Sequence, residues 1–149
     1  MTFLPDVNVW IALAVIEHEQ HLPAVSWFEA TEGHDLAFCR VTQMGFLRLL
    51  TNPHVMNGDP LTPEAAWQRL DLVYRDVSPV FASEPQELEK IWRSVTAVPR
   101  GGRNLWTDAY LAAFAQTTGF TLVTFDQGVA RFRKTAVRIL ASKSSRLRP

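Results

Sequence analysis

One cysteine, Cys39, stands in 149 residues. An internal disulfide is therefore excluded, and so is a zinc cluster built on cysteine pairs; a reducing compartment suits such a chain. Long apolar runs are missing too. The longest, Val9 to Ile16, has eight residues, where a bilayer span needs about 18. It follows Asp6 and Asn8 rather than a basic segment, so it does not read as a signal peptide, and the expected location is cytoplasmic. Histidine is scarce, and His18, His21, His34 and His54 show no metal-ligand spacing. There is no internal repeat, low-complexity block or interdomain linker. One domain over residues 1–141 is expected, with a basic tail over 142–149.

Lysine is absent before position 90, and acids are nearly absent after it. Residues 1–89 carry four Lys/Arg against thirteen Asp/Glu, and residues 90–149 carry eleven against two. The net charge is zero, but the second half has the electrostatic footprint of a nucleic-acid binder. A second explanation stays open: the halves attract each other across the fold. The two acids of the basic half are Asp108 and Asp126. What the chain does have in quantity is core material, 47% hydrophobic residues with five Trp and nine Phe, enough for a self-sufficient domain of this length.

Residues 2–5 read as a strand ending at Pro5, which cannot donate to a ladder. Residues 8–19 read as a buried helix, apolar all round at first. A second helix fits 23–31, closed by Gly33. Further strands are expected at 36–39, 77–81 (an edge), 121–125 and 137–140. Further helices are expected at 41–50, at 65–75 with Pro63 at the first helical position, and at 104–118 ended by Gly119. Ser83 and Gln86 form a capping-box pattern before the Leu88, Ile91, Trp92, Val95 stripe. Strands alternating with helices imply an α/β fold, a central parallel sheet with helices on both faces.

Asp6 and Asp126 each follow a predicted strand directly. In open parallel sheets, ligands bind beyond the carboxyl ends of the strands, so two parallel neighbours would deliver both acids to one edge. Asp108 shares a helix face with Leu111, Ala112 and Ala115, which turns it toward the sheet. Three converging carboxylates need pairing, protonation or a cation, and hard oxygen donors select Mg²⁺ or Mn²⁺. Each acid also has a plainer reading. Asp6 and Asp126 suit helix caps or turns, and Asp108 suits the positive end of a helix dipole.

Three stretches, Leu4-Pro5-Asp6-Val7-Asn8-Val9-Trp10, Thr107-Asp108-Ala109-Tyr110-Leu111-Ala112-Ala113 and Leu122-Val123-Thr124-Phe125-Asp126, resemble the signatures of PIN-domain ribonucleases. A fourth, from Val41-Thr42-Gln43-Met44-Gly45-Phe46 to Asn52-Pro53, is similar to the corresponding helix in a VapC subgroup, the toxin half of VapBC toxin–antitoxin pairs. Order and spacing agree over nearly the whole chain. The resemblance implies a Mg²⁺- or Mn²⁺-dependent endoribonuclease of type II toxin–antitoxin systems. Asp6, Asp108 and Asp126 would hold metal, supported by Asn8 and Thr124, and activated water would leave a 5′-phosphate and a 3′-hydroxyl. It further implies an RNA substrate, a VapB-type antitoxin and a homodimer, with no membrane.

The family usually places a Glu in the fourth helix, yet no acid lies between Asp35 and Asp59. Gln43, heading the inward stripe Gln43, Phe46, Leu47, Leu50, is the expected equivalent, adding an uncharged carbonyl to the catalytic set; another register puts Gly45 there. Gln43 also reads as a buried amide satisfied by neighbours. Arg100, Arg103, Arg131, Arg133 and Lys134 are candidates for RNA-phosphate contacts or plain solvated surface. Trp106 and Trp10 neighbour site residues and suit base stacking, with core packing the better expectation for Trp10. Two other functions remain: a PIN fold that binds RNA or a partner with little turnover, and an Asp-nucleophile phosphohydrolase built on Asp6-Val7-Asn8-Val9. In the latter, Asn8 removes the general acid such a motif needs.

Overall fold

A computed structural model describes residues 1–142; the expected basic tail lies outside the described residues beyond Ser142. Five strands, β1 (Thr2–Pro5), β2 (Asp35–Phe38), β3 (Val80–Phe81), β4 (Thr121–Thr124) and β5 (Val137–Ile139), form one sheet in the order β3-β2-β1-β4-β5. Every pairing is parallel. Six helices accompany them: α1 (Val7–Ala14), α2 (His21–Glu29), α3 (Arg40–Leu50), α4 (Pro63–Val77), α5 (Leu88–Val95) and α6 (Leu105–Thr118).

Side chains along a strand point alternately to opposite faces, and here both faces are covered. Phe3, Leu36, Phe38 and Val123 join one core with Trp10, Phe46 and Leu70 from α1, α3 and α4. Leu4, Ala37 and Leu122 join the other with Leu88 and Phe114 from α5 and α6. Trp10 is fully buried and stacked on Phe38, ring centroids 3.9 Å apart, so its role is packing. The α/β fold with helices on both faces is the one expected.

The winding fixes where a ligand can sit. From β1 the chain moves outward through β2 to β3, using α1 to α4 on one face. Then α5 and α6 carry it back along the other face to β4, which pairs with the free side of β1. The strand order therefore reverses between β1 and β4. Beyond the carboxyl ends of two such strands, the helices diverge and leave a crevice.

Two helix starts differ from the sequence expectation, and one helix is shorter. α1 ends at Ala14, because Val15 turns extended. Its freed carbonyls find side-chain donors: the His21 ring donates from Nδ1 to Ala12 (2.7 Å) and Arg69 donates to Ala14 (3.1 Å). That early stop lets α2 begin at His21, before Pro23. The Ser83–Gln86 capping box does not form, and α5 begins at Leu88 without a side-chain cap. Pro85 disfavours helical backbone at Glu84, which would have been the first helical residue. Where the signals agree, the ends fall as expected. Thr62 caps α4 with Pro63 at its first position, and Gly119 closes α6 with φ of +76°.

Candidate active site

The β1–β4 ladder runs one bond past β1, with the Asp6 amide donating to the Val123 carbonyl (2.9 Å). This sets the Asp6 side chain beside Thr124. Asp6 caps α1, its Oδ1 accepting the Val9 amide at 3.1 Å, while Oδ2 accepts the Thr124 hydroxyl. That buried hydroxyl in turn accepts the Asp126 amide at 3.0 Å. Asp126 caps the 3₁₀ helix Gln127–Arg131, its Oδ1 accepting the Gly128 amide at 2.8 Å. The plain reading of both acids as caps is thus correct, and it does not compete with a site: capping is what holds the two carboxylates at the edge of the sheet.

Asp108 reaches the same region from the first turn of α6, on the face it shares with the buried Leu111, Ala112 and Ala115. Asp6 and Asn8 form one wall of a groove of about 410 Å³, with Asn104, Thr107 and Asp108 from the α6 start. The facing wall is α3, presenting Val41, Met44, Gly45 and Arg48. Asp126 does not line this groove and is exposed. Volume alone does not pick the site. A cavity between α1 and α4 is as large, about 430 Å³, but holds none of the strand-end carboxylates.

Electrostatics links the three acids in a row. Burial pushes the Asp6 carboxyl up to about 6, against the opposing hydrogen bonds from Thr124 and Val9, and the charge of Asp108 pushes it further the same way. Asp108 is itself raised, first by burial and then by Asp126, with Arg131 pulling it back. Such carboxylates are held at a cost that a divalent cation would relieve. The donor set is all oxygen, which fits Mg²⁺ or Mn²⁺. Among the described residues, no three His, Cys, Asp or Glu side chains are gathered tightly enough to hold an ion as they stand. The fit therefore lies in donor chemistry and charge, carried chiefly by Asp6 and Asp108, with Asp126 further out.

Gln43 is not brought to the groove. Its Oε1 accepts from Arg40 and its Nε2 donates to the Tyr74 hydroxyl at 2.9 Å, so the buried amide is satisfied by neighbours. The stripe Gln43, Phe46, Leu50 does point inward, but inward from α3 means into the core. The groove takes the adjacent face, Val41, Met44, Gly45 and Arg48, spaced i, i+3, i+4, i+7. The register with Gly45 in the place of the family's Glu is the one that faces the site. There the chain has no side chain at all: a β-carbon on Gly45 would lie 2.5 Å from Val7 Cγ2.

Arg48, Asn104 and Thr107 join the groove without having been expected there. For Arg48, the 3–4 spacing from Val41, Met44 and Gly45 is the signal the sequence offers. Asn8 lines the groove as expected and is exposed. Arg100, Arg103, Arg133 and Lys134 are exposed and lie outside the groove lining. Arg131 is turned to Asp108, at 3.6 Å. Trp106 is 64% exposed beside Thr107 and Asp108.

The profile of the PIN-domain family matches residues 3–136. The chain is 38% identical to Ribonuclease VapC41 of Mycobacterium tuberculosis over 93% of its own length and 98% of the relative's. It is 33% identical to Ribonuclease VapC38 of the same species, covering 85% and 86%. Among solved structures it resembles the VapBC2 complex of Rickettsia felis, bound to a DNA fragment from its promoter, with a TM-score of 0.66 at 13% identity over 95% of this chain and 100% of that one. It also resembles M. tuberculosis VapC20, a sarcin–ricin-loop-cleaving toxin, with a TM-score of 0.63 at 16% identity over 87% and 93%. At such identities the structural likeness speaks for the fold alone; the family profile and the closer relatives speak for descent. With the family profile over most of its length and a 38% identical relative covered almost end to end, the chain belongs to the PIN-domain family, in its VapC branch.

Proposed function

We propose that this chain is an endoribonuclease, the toxin of a type II toxin–antitoxin pair, acting in the cytoplasm with Mg²⁺ or Mn²⁺ at Asp6, Asp108 and Asp126. The single observation that carries the reading is the meeting of Asp6 and Asp108 on one groove at the switch point, each carboxyl raised by burial and by its acidic neighbour. The relatives named as ribonucleases support the reaction class, and the solved complex of a VapBC pair supports a VapB-type antitoxin as partner. A homodimer belongs to the same proposal.

A bound divalent ion would supply activation of water and neutralisation of charge on the phosphodiester. The chain's own side chains do the rest. The Thr124 hydroxyl fixes the plane of the Asp6 carboxylate while holding the Asp126 backbone. Asn8 offers an amide to water or phosphate at the open side of the groove. Arg48, on the α3 wall, offers a cation to a phosphate oxygen. The exposed face of Trp106 suits an unpaired base, an interaction worth about 1–3 kcal/mol. Arg100, Arg103, Arg133 and Lys134 supply positive charge beyond the groove.

Purified protein with Mn²⁺ is expected to cleave a structured RNA, and Asp6→Asn or Asp108→Asn to lower the rate at least about a hundredfold, since each removes a carboxylate that would hold the ion. Sequencing RNA ends after controlled expression in a bacterial host, wild type against Asp108→Asn, identifies the target. The absence of any acid on the α3 wall favours one rival: a PIN fold that binds RNA with little turnover. Wild-type protein that binds RNA yet stays inert over a range of RNAs and metals would establish the rival and end the nuclease reading.

A further inference from the structure

Arg131 stands where a cation is wanted. Its Nη2 lies 3.6 Å from Asp108 Oδ2, with the Arg131 side chain 48% exposed and that of Asp108 21%. Its other terminal nitrogen passes close to the Asp126 turn. Nη1 is 3.8 Å from the point a Gly128 β-carbon would occupy, and that point is 3.1 Å from Asp126 Oδ1. The guanidinium thus faces Asp108 directly, with the turn that Asp126 caps beside it. Its stem is anchored by the 3₁₀ helix that Asp126 itself caps, and the group lies 4.8 Å over the Phe132 ring. The other ion pairs among the described residues, Arg75–Asp76 and Arg93–Glu89, join near neighbours on the surface. The Arg131–Asp108 pair instead spans two elements and ends on a groove-lining carboxylate.

We propose that Arg131 is a resident counter-cation of the acidic edge, neutralising Asp108 in the metal-free protein and giving way when a divalent ion binds. The inference rests on the reading of these acids as metal ligands and adds a regulation to it: metal affinity is set by competition with a side chain of the same chain. A half-exposed arginine on a short helix is well suited to the exchange, because its guanidinium can swing to solvent without disturbing the core. The 3.6 Å separation is longer than a charge-assisted hydrogen bond, so the pair is held by charge rather than by a locked geometry.

The test is Mn²⁺ binding by calorimetry, without RNA, on the full chain. Wild type is compared with Arg131→Gln, Arg131→Lys and Asp108→Asn, and circular dichroism checks that each is folded. Arg131→Gln is expected to bind Mn²⁺ about tenfold more tightly, a change of about 1.4 kcal/mol. Arg131→Lys keeps the charge and is expected to stay within about threefold of wild type, while Asp108→Asn loses binding. Wild type that binds Mn²⁺, with Arg131→Gln equal or weaker, overturns the counter-cation and leaves the metal site standing. Failure of both wild type and Arg131→Gln to bind overturns the metal reading along with it. Binding by Arg131→Gln alone supports the competition in its strongest form. Should Arg131→Gln not fold, Arg131→Met serves as the neutral variant under the same criteria.

Discussion

Asp6 is a helix cap and a member of an acidic row at once, and the two roles pull its energetics in opposite directions. The hydrogen bonds from Val9 and Thr124 favour the charged form, and burial with the nearby Asp108 disfavours it more, leaving the carboxyl at about 6 against an ordinary 3.8. A raised carboxyl means the folded state holds its proton after the unfolded state has lost it. Asp6 therefore costs stability as pH rises from about 4 to about 6, and the full cost persists above that window. In chelator, Asp6→Asn is expected to stabilise the protein at pH 7.5 by about 1–3 kcal/mol, with the gain gone near pH 4. Thermal melts at the two pH values check it; a variant less stable at pH 7.5 would refute the burial argument. Mn²⁺ should reverse the order, raising the melting temperature of wild type and not of the variant. Thr124 offers a second check. Thr124→Val strips the donor from Asp6 and the acceptor from the Asp126 amide, an expected loss of about 1–3 kcal/mol measured by denaturant unfolding. At this scale the sequence is informative where a residue's neighbours along the chain decide its direction. Asp6 and Asp126 sit at strand ends, and Asp108 sits on an apolar helix face. Gln43 misleads because "inward" on α3 does not mean toward the site: a helix covering a sheet points its most apolar stripe at the core and its flank at the crevice.

At the scale of elements, the crossing of α1 and α3 decides what the groove can contain. Gly45 lets α3 close on Val7 at the start of α1. Gly45→Ala is expected to cost about 1–3 kcal/mol through overpacking, and Val7→Ala in the same chain to recover much of it. A double-mutant cycle in urea measures the coupling, and additive effects would count against the close approach. The same crossing explains why an acid cannot simply be restored at position 45: its β-carbon has no room until Val7 moves. Element ends are legible where two signals coincide, as at Thr62-Pro63 or Gly119. They are not where a single pattern meets a competing constraint. Pro85 overrides the Ser83 cap, and the long run from Val9 conceals the turn at Val15, whose cost is met by His21 and Arg69 from distant positions. The 3₁₀ helix after Asp126 carries too few residues to leave a periodic trace.

At the scale of the molecule, the split of charge along the sequence does not become a set of bridges between halves among the described residues. The ion pairs among the described residues are local or, for Arg131–Asp108, lie within the basic half. That leaves exposed positive charge at Arg100, Arg103, Arg133 and Lys134 available to a polyanion. Replacing Arg133 and Lys134 with Gln is expected to weaken RNA binding and to lower the salt-dependence slope by about 0.7 for each single-strand phosphate left without its cation. Mn²⁺ affinity should stay unchanged. Binding titrations at several salt concentrations check it, and an unaltered slope would remove these residues from the interface. Alternation of strands and helices makes the fold class readable. The reversal of strand order is not readable from pattern alone, since nothing local to β4 says that it returns to β1 rather than extending the sheet beyond β3.

That return has a temporal side. β1 is made before its partner β4, which follows with Thr124 and Asp126 more than a hundred residues later. At the roughly 5–20 residues per second of translation, a growing polypeptide spends several seconds with Asp6 translated and its hydroxyl support still unmade. Through that interval Asp6 lacks both the Thr124 hydroxyl and the Val123 carbonyl that tie its segment to the sheet, so the acidic edge can set only once this long-range ladder closes.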